Sequence, residues 1–179
     1  VNMLVGGDAP EHHAYGGLDV LCAVNEIILT HLINKITPIG AINIHGLILV
    51  DKQVGRYHDG RQCWSVILVR DQTLRPAHLL HAVGFKEADE KSWRYGTEEA
   101  RVKYAYKAIE KDIGTNPFVQ LVGKFLMACA NQFAFARMAK VLHGAITDSN
   151  LSLDGKWLDL PLVSIVPGGS NWSHQSDFY

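Results

Sequence analysis

The sequence predicts an α+β fold in which a small β-rich lobe (residues 1–82) leads into a helical lobe (83–179). Three observations predict it. Continuous β-branched and apolar runs at 41–50 and 62–70 have the length and composition of paired strands. Two longer helical patterns, at 97–112 and 117–141, lie in the second half. A polar, turn-rich loop at 143–156 follows them and leads into one more short strand near 157–159.

Each element has its own warrant. Residues 1–5 read as a strand ending at Gly6-Gly7, and the turn formers and histidines of 8–17 as a loop. Asp19 is placed to cap a helix over 20–34, in which Leu21, Val24, Ile28, Leu32 and Ile36 recur at helical spacing. Thr37-Pro38 stops it. The run 41–50 predicts a buried strand, Asp59-Gly60 a hairpin turn, and 62–70 the returning strand. A helix is expected over Leu74–Ala82, a charged loop over 85–100 and an amphipathic helix over 97–112. Asn116-Pro117 opens a helix to about 141 whose alanines, Phe125, Phe133 and Phe135 predict a buried element. Gly168-Gly169 begins a polar exit.

Composition narrows the function classes. At 179 residues and 47% hydrophobic, the chain is expected to form one domain with a sizeable core. Beginning on Val1, it is expected to be a fragment, or a domain lacking its first strands. A net charge of −1 gives no bulk electrostatic case for nucleic acid or anionic membrane. Cys22, Cys63 and Cys129 are scattered and odd in number, which predicts reduced thiols and a cytoplasmic setting. The start lacks the basic residues and long apolar stretch of a signal peptide. No apolar run is read as approaching the roughly 20 residues that span a bilayer.

The residues with chemical promise cluster at 143–159. His143-Gly-Ala-Ile-Thr-Asp-Ser-Asn150, with Asp159 nine residues on, follows the catalytic loop of kinase-like phosphotransferases. The His, the Gly, the Asn and the later Asp are in place. The position of the general base holds Ala145, and Asp148 is the nearest acidic residue. Asn150 and Asp159 would offer hard oxygen ligands to a divalent metal on a nucleotide polyphosphate, although turn capping also favours such residues. His143 is expected to hold the loop through a ring hydrogen bond. Glu26 is the only acid within the first helix and is either a phosphate-lysine partner or a surface residue. Arg70 closes an apolar strand, where a charge needs a carboxylate or a phosphate, and Arg75 follows it. His12-His13 with Glu11 and Asp8 read as a solvated loop, and the mixed charges of 86–111 as a solvated helix face.

The run His-Gly-Ala-Ile-Thr-Asp-Ser-Asn-Leu-Ser-Leu-Asp-Gly-Lys-Trp-Leu-Asp resembles the active-site region of the selenoprotein-O family, whose motif reads His-Gly-Val-x-Asn-Thr-Asp-Asn-Met-Ser…Asp-Tyr-Gly-Pro. These are enzymes of pseudokinase fold that transfer AMP from ATP to protein hydroxyls, and they too lack the kinase base. Val-Ile-Leu-Val-Arg70…Leu-Arg75 is similar to the family's strand with two phosphate-contacting arginines, at shorter spacing. Val24-Asn-Glu26…Thr37-Pro38 is similar to its Glu-bearing helix and Thr-rich loop. The likeness covers most of the chain, but only 143–159 is specific. It implies a protein-kinase-like fold, ATP with Mg²⁺ (or Mn²⁺), and a protein or peptide acceptor. By resemblance, Asn150 and Asp159 hold metal, Arg70 and Arg75 the phosphates, and Glu26 the phosphate-binding lysine; Glu26 and Asp148 are the candidate catalytic residues. Three departures stand out. Leu4-Val5-Gly6-Gly7 replaces Leu-Lys-Gly-Ala-Gly, Ser149 replaces an acid, and Asp159 is followed by Leu160-Pro161. Peptide-modifying proteins of microcin maturation carry similar His-Gly…Asn…Gly-Lys-Trp-Leu-Asp segments. The expected function is ATP- and metal-dependent transfer of AMP or phosphoryl to, or activation of, a protein or peptide acceptor. The alternative is a catalytically impaired pseudokinase that positions a partner subunit.

Overall fold

A computed structural model describes residues 18–50, 55–56, 61–80, 93–113 and 117–165. Among the described residues the fold is α+β, with three α-helices and small antiparallel sheets. Strand β1 (Leu18–Asp19) leads directly into α1 (Val20–Ile36). The Asp19 carboxylate accepts the Cys22 amide at 2.9 Å and so satisfies one free donor of the first turn. Thr37 ends the helix in extended conformation, as the following proline requires, with its hydroxyl on the Ile33 carbonyl at 2.8 Å.

Strands β2 (Ile44–Leu49) and β5 (Ser65–Arg70) pair antiparallel, and β1 adds to the other edge of β5, giving the order β1-β5-β2. The short β3 (Gly55–Arg56) and β4 (Gln62–Cys63) pair between them. A 3₁₀ turn over Pro76–Leu79 follows, then α2 (Trp93–Ile113) and α3 (Pro117–Met138). Strand β6 (Val141–Leu142) pairs with β7 (Ser164–Ile165) across the 143–159 segment and a 3₁₀ turn at Leu160–Leu162.

The core lies where α1, α3 and the 143–159 segment meet. Ile33, Ala41, Ala136, Val141, Leu151, Trp157 and Leu160 form it, and Phe133 packs on Trp157 with ring centroids 5.7 Å apart. Gln132 of α3 is wholly buried and ties the helix to the turn after α1. Its Oε1 accepts the Ile39 and Gly40 amides at 3.0 and 3.3 Å, and its Nε2 donates to Thr37 Oγ1 and the Gly40 carbonyl at 3.1 and 3.0 Å. All of its hydrogen-bonding capacity is thus used, and the Ile39 and Gly40 amides would otherwise lack a partner.

Several expectations are corrected. The stripe of α1 that faces inward is Ala23, Glu26, Thr30 and Ile33, while Leu21, Val24 and Ile28 are exposed. The apolar spacing marked a helix correctly but not its buried face. Strand β2 is half-exposed because one face of the small sheet, with Ile48, Ile67 and Val69, lies in the open, and Leu49 at the end of the strand is exposed on the other face. The helix expected from Leu74 shrinks to the 3₁₀ turn at Pro76–Leu79, and the helical segment α2 starts at Trp93, inside the stretch expected to be loop. Helix α3 stops at Met138, where Lys140 takes a left-handed φ of 56° and turns the chain into β6. It buries a single stripe (Leu121, Gln132, Ala136) and exposes Val119, Leu126, Met127 and Met138. Among the described residues, Phe118–Met138 is long and apolar enough to cross a membrane by length and composition (21 residues, mean hydropathy 1.2). The strand expected near 157–159 is reduced to bridges of Trp157 with Ala41 and Leu151. The 1–5 strand, His12-His13, the Asp59-Gly60 turn, the 82/83 lobe boundary and Gly168-Gly169 lie outside the described residues.

Candidate functional site

The 143–159 segment is shaped by local hydrogen bonds. His143 is buried; its Nδ1 accepts the Ala145 amide at 3.3 Å, which leaves Nε2–H to donate to the Leu158 carbonyl at 2.8 Å. Its ring meets Trp157 edge-on at 5.0 Å. This is the loop-holding role expected of it. Gly144 has φ 82°, and a Cβ there would sit 2.5 Å from the Leu162 carbonyl oxygen, so glycine is needed twice over. Asn150 donates from Nδ2 to the Ala145 carbonyl at 2.8 Å, and its own carbonyl accepts the Leu158 amide at 2.9 Å. Ala145 thus serves the loop through its backbone.

The turn at Ser152–Lys156 closes the segment. The Lys156 amide donates to Ser152 Oγ at 2.8 Å, and Gly155 (φ 83°) passes close over Ala128 of α3. Bonds from the Leu153 amide to the Leu74 carbonyl (2.8 Å) and from the Ala77 amide to the Asp148 carbonyl (3.0 Å) fasten the segment to the linker after β5.

These constraints, with α1 and β5, enclose a cavity of about 340 Å³. It brings together Glu26, Arg70, Arg75, Asn150 and Asp159, residues from four separate parts of the chain. Leu18, Leu68, Leu158 and Pro161 supply apolar wall. Asp148 does not line it; its side chain is exposed on the loop. Cys22 does line it, and nothing in the sequence marked that residue.

Burial, then hydrogen bonding to Asp19 and nearby negative charge, pushes the Cys22 thiol up to about 11, so it is a protonated wall group at neutral pH. The Glu26 carboxyl is raised above the ordinary range, chiefly by burial and further by the charge of Asp159; amide hydrogen bonds and Arg70 oppose the rise. Its oxygens accept the Asp159 amide at 3.1 Å and the Leu160 amide at 2.6 Å. The Arg75 guanidinium is lowered, first by burial and then by Arg70, while Asp159 counters. One Arg75 N–H reaches the Ser149 carbonyl at 2.9 Å, but its Nε is buried without a hydrogen-bond partner. Arg70 is paired through its backbone in β5, and its guanidinium makes no hydrogen bond among the described residues. Two neighbouring guanidiniums with unspent donors make a site for an anion with several oxygens.

Asp159 has φ 58° and ψ 61°, a left-handed conformation that costs a non-glycine residue on the order of 1–3 kcal/mol and collects at functional sites. Its carboxylate accepts no hydrogen bond among the described residues, and Asn150 Oδ1 accepts only the Ser149 hydroxyl at 3.3 Å. Hard oxygens from these two suit a divalent cation that takes its other ligands from phosphate and water. Among the described residues no three His, Cys, Asp or Glu gather into an all-protein metal cage.

No protein-family model matches the chain, and no curated protein matches it.

Proposed function

We propose that this chain is an ATP- and metal-dependent transferase of protein-kinase-like fold, related to the selenoprotein-O enzymes, acting on a protein or peptide acceptor. The observation that carries the reading is the convergence of Arg70 and Arg75 with Asn150 and Asp159 on one cavity. A metal–polyphosphate requires that combination of cationic and hard-oxygen groups, and neither half explains the other. The Leu151–Trp157 bridge and tight turn between Asn150 and Asp159, and the His143 bond to the Leu158 carbonyl, support the fold assignment. The three free cysteines suit the cytoplasm, where ATP is abundant.

In this reading Asn150 and Asp159 would hold Mg²⁺ or Mn²⁺, which when bound would supply positive charge to offset that of the phosphates. Arg70 and Arg75 bind the polyphosphate and neutralise the charge that gathers on the leaving group. For AMP transfer, the acceptor oxygen bonds to the α-phosphorus and pyrophosphate departs. For phosphoryl transfer, it bonds to the γ-phosphorus and ADP departs. Asp148 lies outside the cavity, so among the described residues Glu26 and Asp159 are the carboxylates that line it as candidate bases. Loose phosphoryl-type transition states depend more on positioning and charge than on early deprotonation.

A second reading has its own support. Ala145 at the base position and Asp148 outside the cavity fit a nucleotide-binding pseudokinase that positions a partner subunit. Incubating the protein and candidate acceptors with ATP labelled at either the α- or the γ-phosphate separates the cases. Transfer of α-label marks AMP transfer, and transfer of γ-label marks a kinase. Binding without transfer of either label, relieved only by a second protein, marks the scaffold.

A further inference from the structure

We infer that Glu26 is the positioning residue of this site: from α1 its carboxylate holds the Asp159–Leu160 backbone and so aims the Asp159 carboxylate at the metal. The inference rests on the proposed nucleotide site and concerns how that site is built. Glu26 is buried, only 5% exposed, on the one face of α1 that packs inward. A buried carboxylate needs partners, and the two nearest donors are main-chain amides rather than a cation. Asp159 N–H lies 3.1 Å from one oxygen and Leu160 N–H 2.6 Å from the other. Both amides open the 3₁₀ turn at Leu160–Leu162, where main-chain donors have no partner within the turn.

The consequence for Asp159 is directional. Its left-handed backbone (φ 58°, ψ 61°) is unfavourable on its own, and fixing the amides on both sides of its carbonyl removes the freedom to relax. With the backbone held, Asp159 keeps its place in the lining of the cavity shared with Asn150 and the arginines. The same carboxylate sits within the electrostatic reach of Arg70, where it competes with any bound anion. Glu26 therefore has two separable effects. It strengthens metal binding through Asp159, and it weakens metal-free polyphosphate binding at Arg70.

Glu26→Gln tests both. The amide keeps the shape, loses the charge, and can accept at only one oxygen. The expected result is a loss of about tenfold or more in Mg²⁺-dependent ATP affinity, the scale of a hydrogen bond to a charged group. Metal-free tripolyphosphate should bind at least as tightly as to wild type. A parallel loss of both would show a merely structural role, and no change in either would show that Asp159 needs no clamp; each overturns the inference. Wild type that binds neither probe would instead overturn the nucleotide site itself. A second measurement needs no variant: in the wild type, the Asp159 and Leu160 amides that donate to Glu26 should exchange with solvent more slowly than free amides. Exchange of both at the unprotected rate would overturn the clamp even if the variant failed to fold.

Discussion

Single side chains in this protein do work that their residue type alone does not announce. Glu26 is the clearest case. Its carboxyl is raised mainly by burial, so in the folded state it holds its proton to higher pH than in the unfolded chain. The folded state then binds more protons than the unfolded state between the two pKa values, and stability falls as pH rises through that window. Glu26→Gln removes the titration. Urea unfolding across pH 4.5 and upward should therefore show the wild type losing ground to the variant as pH rises from the ordinary glutamate pKa of 4.5. A constant difference between the two would show that Glu26 titrates alike in both states. Asp71, paired with His45 at 2.5 Å and with Asn43 at 2.9 Å, runs the other way: its lowered pKa gives stability that is present above the ordinary aspartate range and lost as pH falls.

At this scale the sequence was most legible where the geometry is local. The His143 ring bond, the glycine at 144 and the approach of Asn150 to Ala145 all depend on neighbours a few residues away, and the spacing encodes them. Glu26 was legible as a site residue but not in its partnership. Its amide partners lie 133 and 134 residues away, a separation that no local pattern records.

At the scale of elements, helix limits were easier to read than helix faces. Asp19 caps α1 as expected because a cap is a contact over three residues. The apolar spacing does not report the inward face, because α1 buries a charged and a hydroxyl residue, Glu26 and Thr30, and exposes Leu21, Val24 and Ile28. An amphipathic pattern reports burial only when the core is apolar. The same limit applies to α3, whose one buried polar residue, Gln132, matters more than its exposed apolar ones. Gln132→Ala should destabilise the fold by roughly 2–4 kcal/mol, since it strands the Ile39 and Gly40 amides and opens a cavity, while the Gly40 carbonyl keeps the Trp157 amide and the Thr37 hydroxyl keeps the Ile33 carbonyl. Chemical denaturation would measure it. A cost below about 0.5 kcal/mol, the size of a surface change, would mean that the turn after α1 does not depend on α3.

Across the whole molecule, the site is a product of topology. Glu26 comes from α1, Arg70 from β5, Arg75 from the linker, and Asn150 and Asp159 from the segment between β6 and β7. The sequence offered these residues as separate candidates, and the fold brings five of the six to one cavity and leaves out Asp148. The α+β class was legible from strand and helix patterns. The exposed apolar faces of α1, the β2–β5 sheet and α3 were not, because apolar composition does not say which surface a small sheet or a long helix leaves uncovered.

Calorimetric titration of Mg²⁺–ATP into the wild type and Asp159→Ala tests the central claim most directly. The account predicts measurable binding to the wild type and loss of the metal-dependent part in the variant, with Arg70 and Arg75 still able to take metal-free polyphosphate. Equal Mg²⁺–ATP affinity in the two proteins, or none in the wild type, would contradict it.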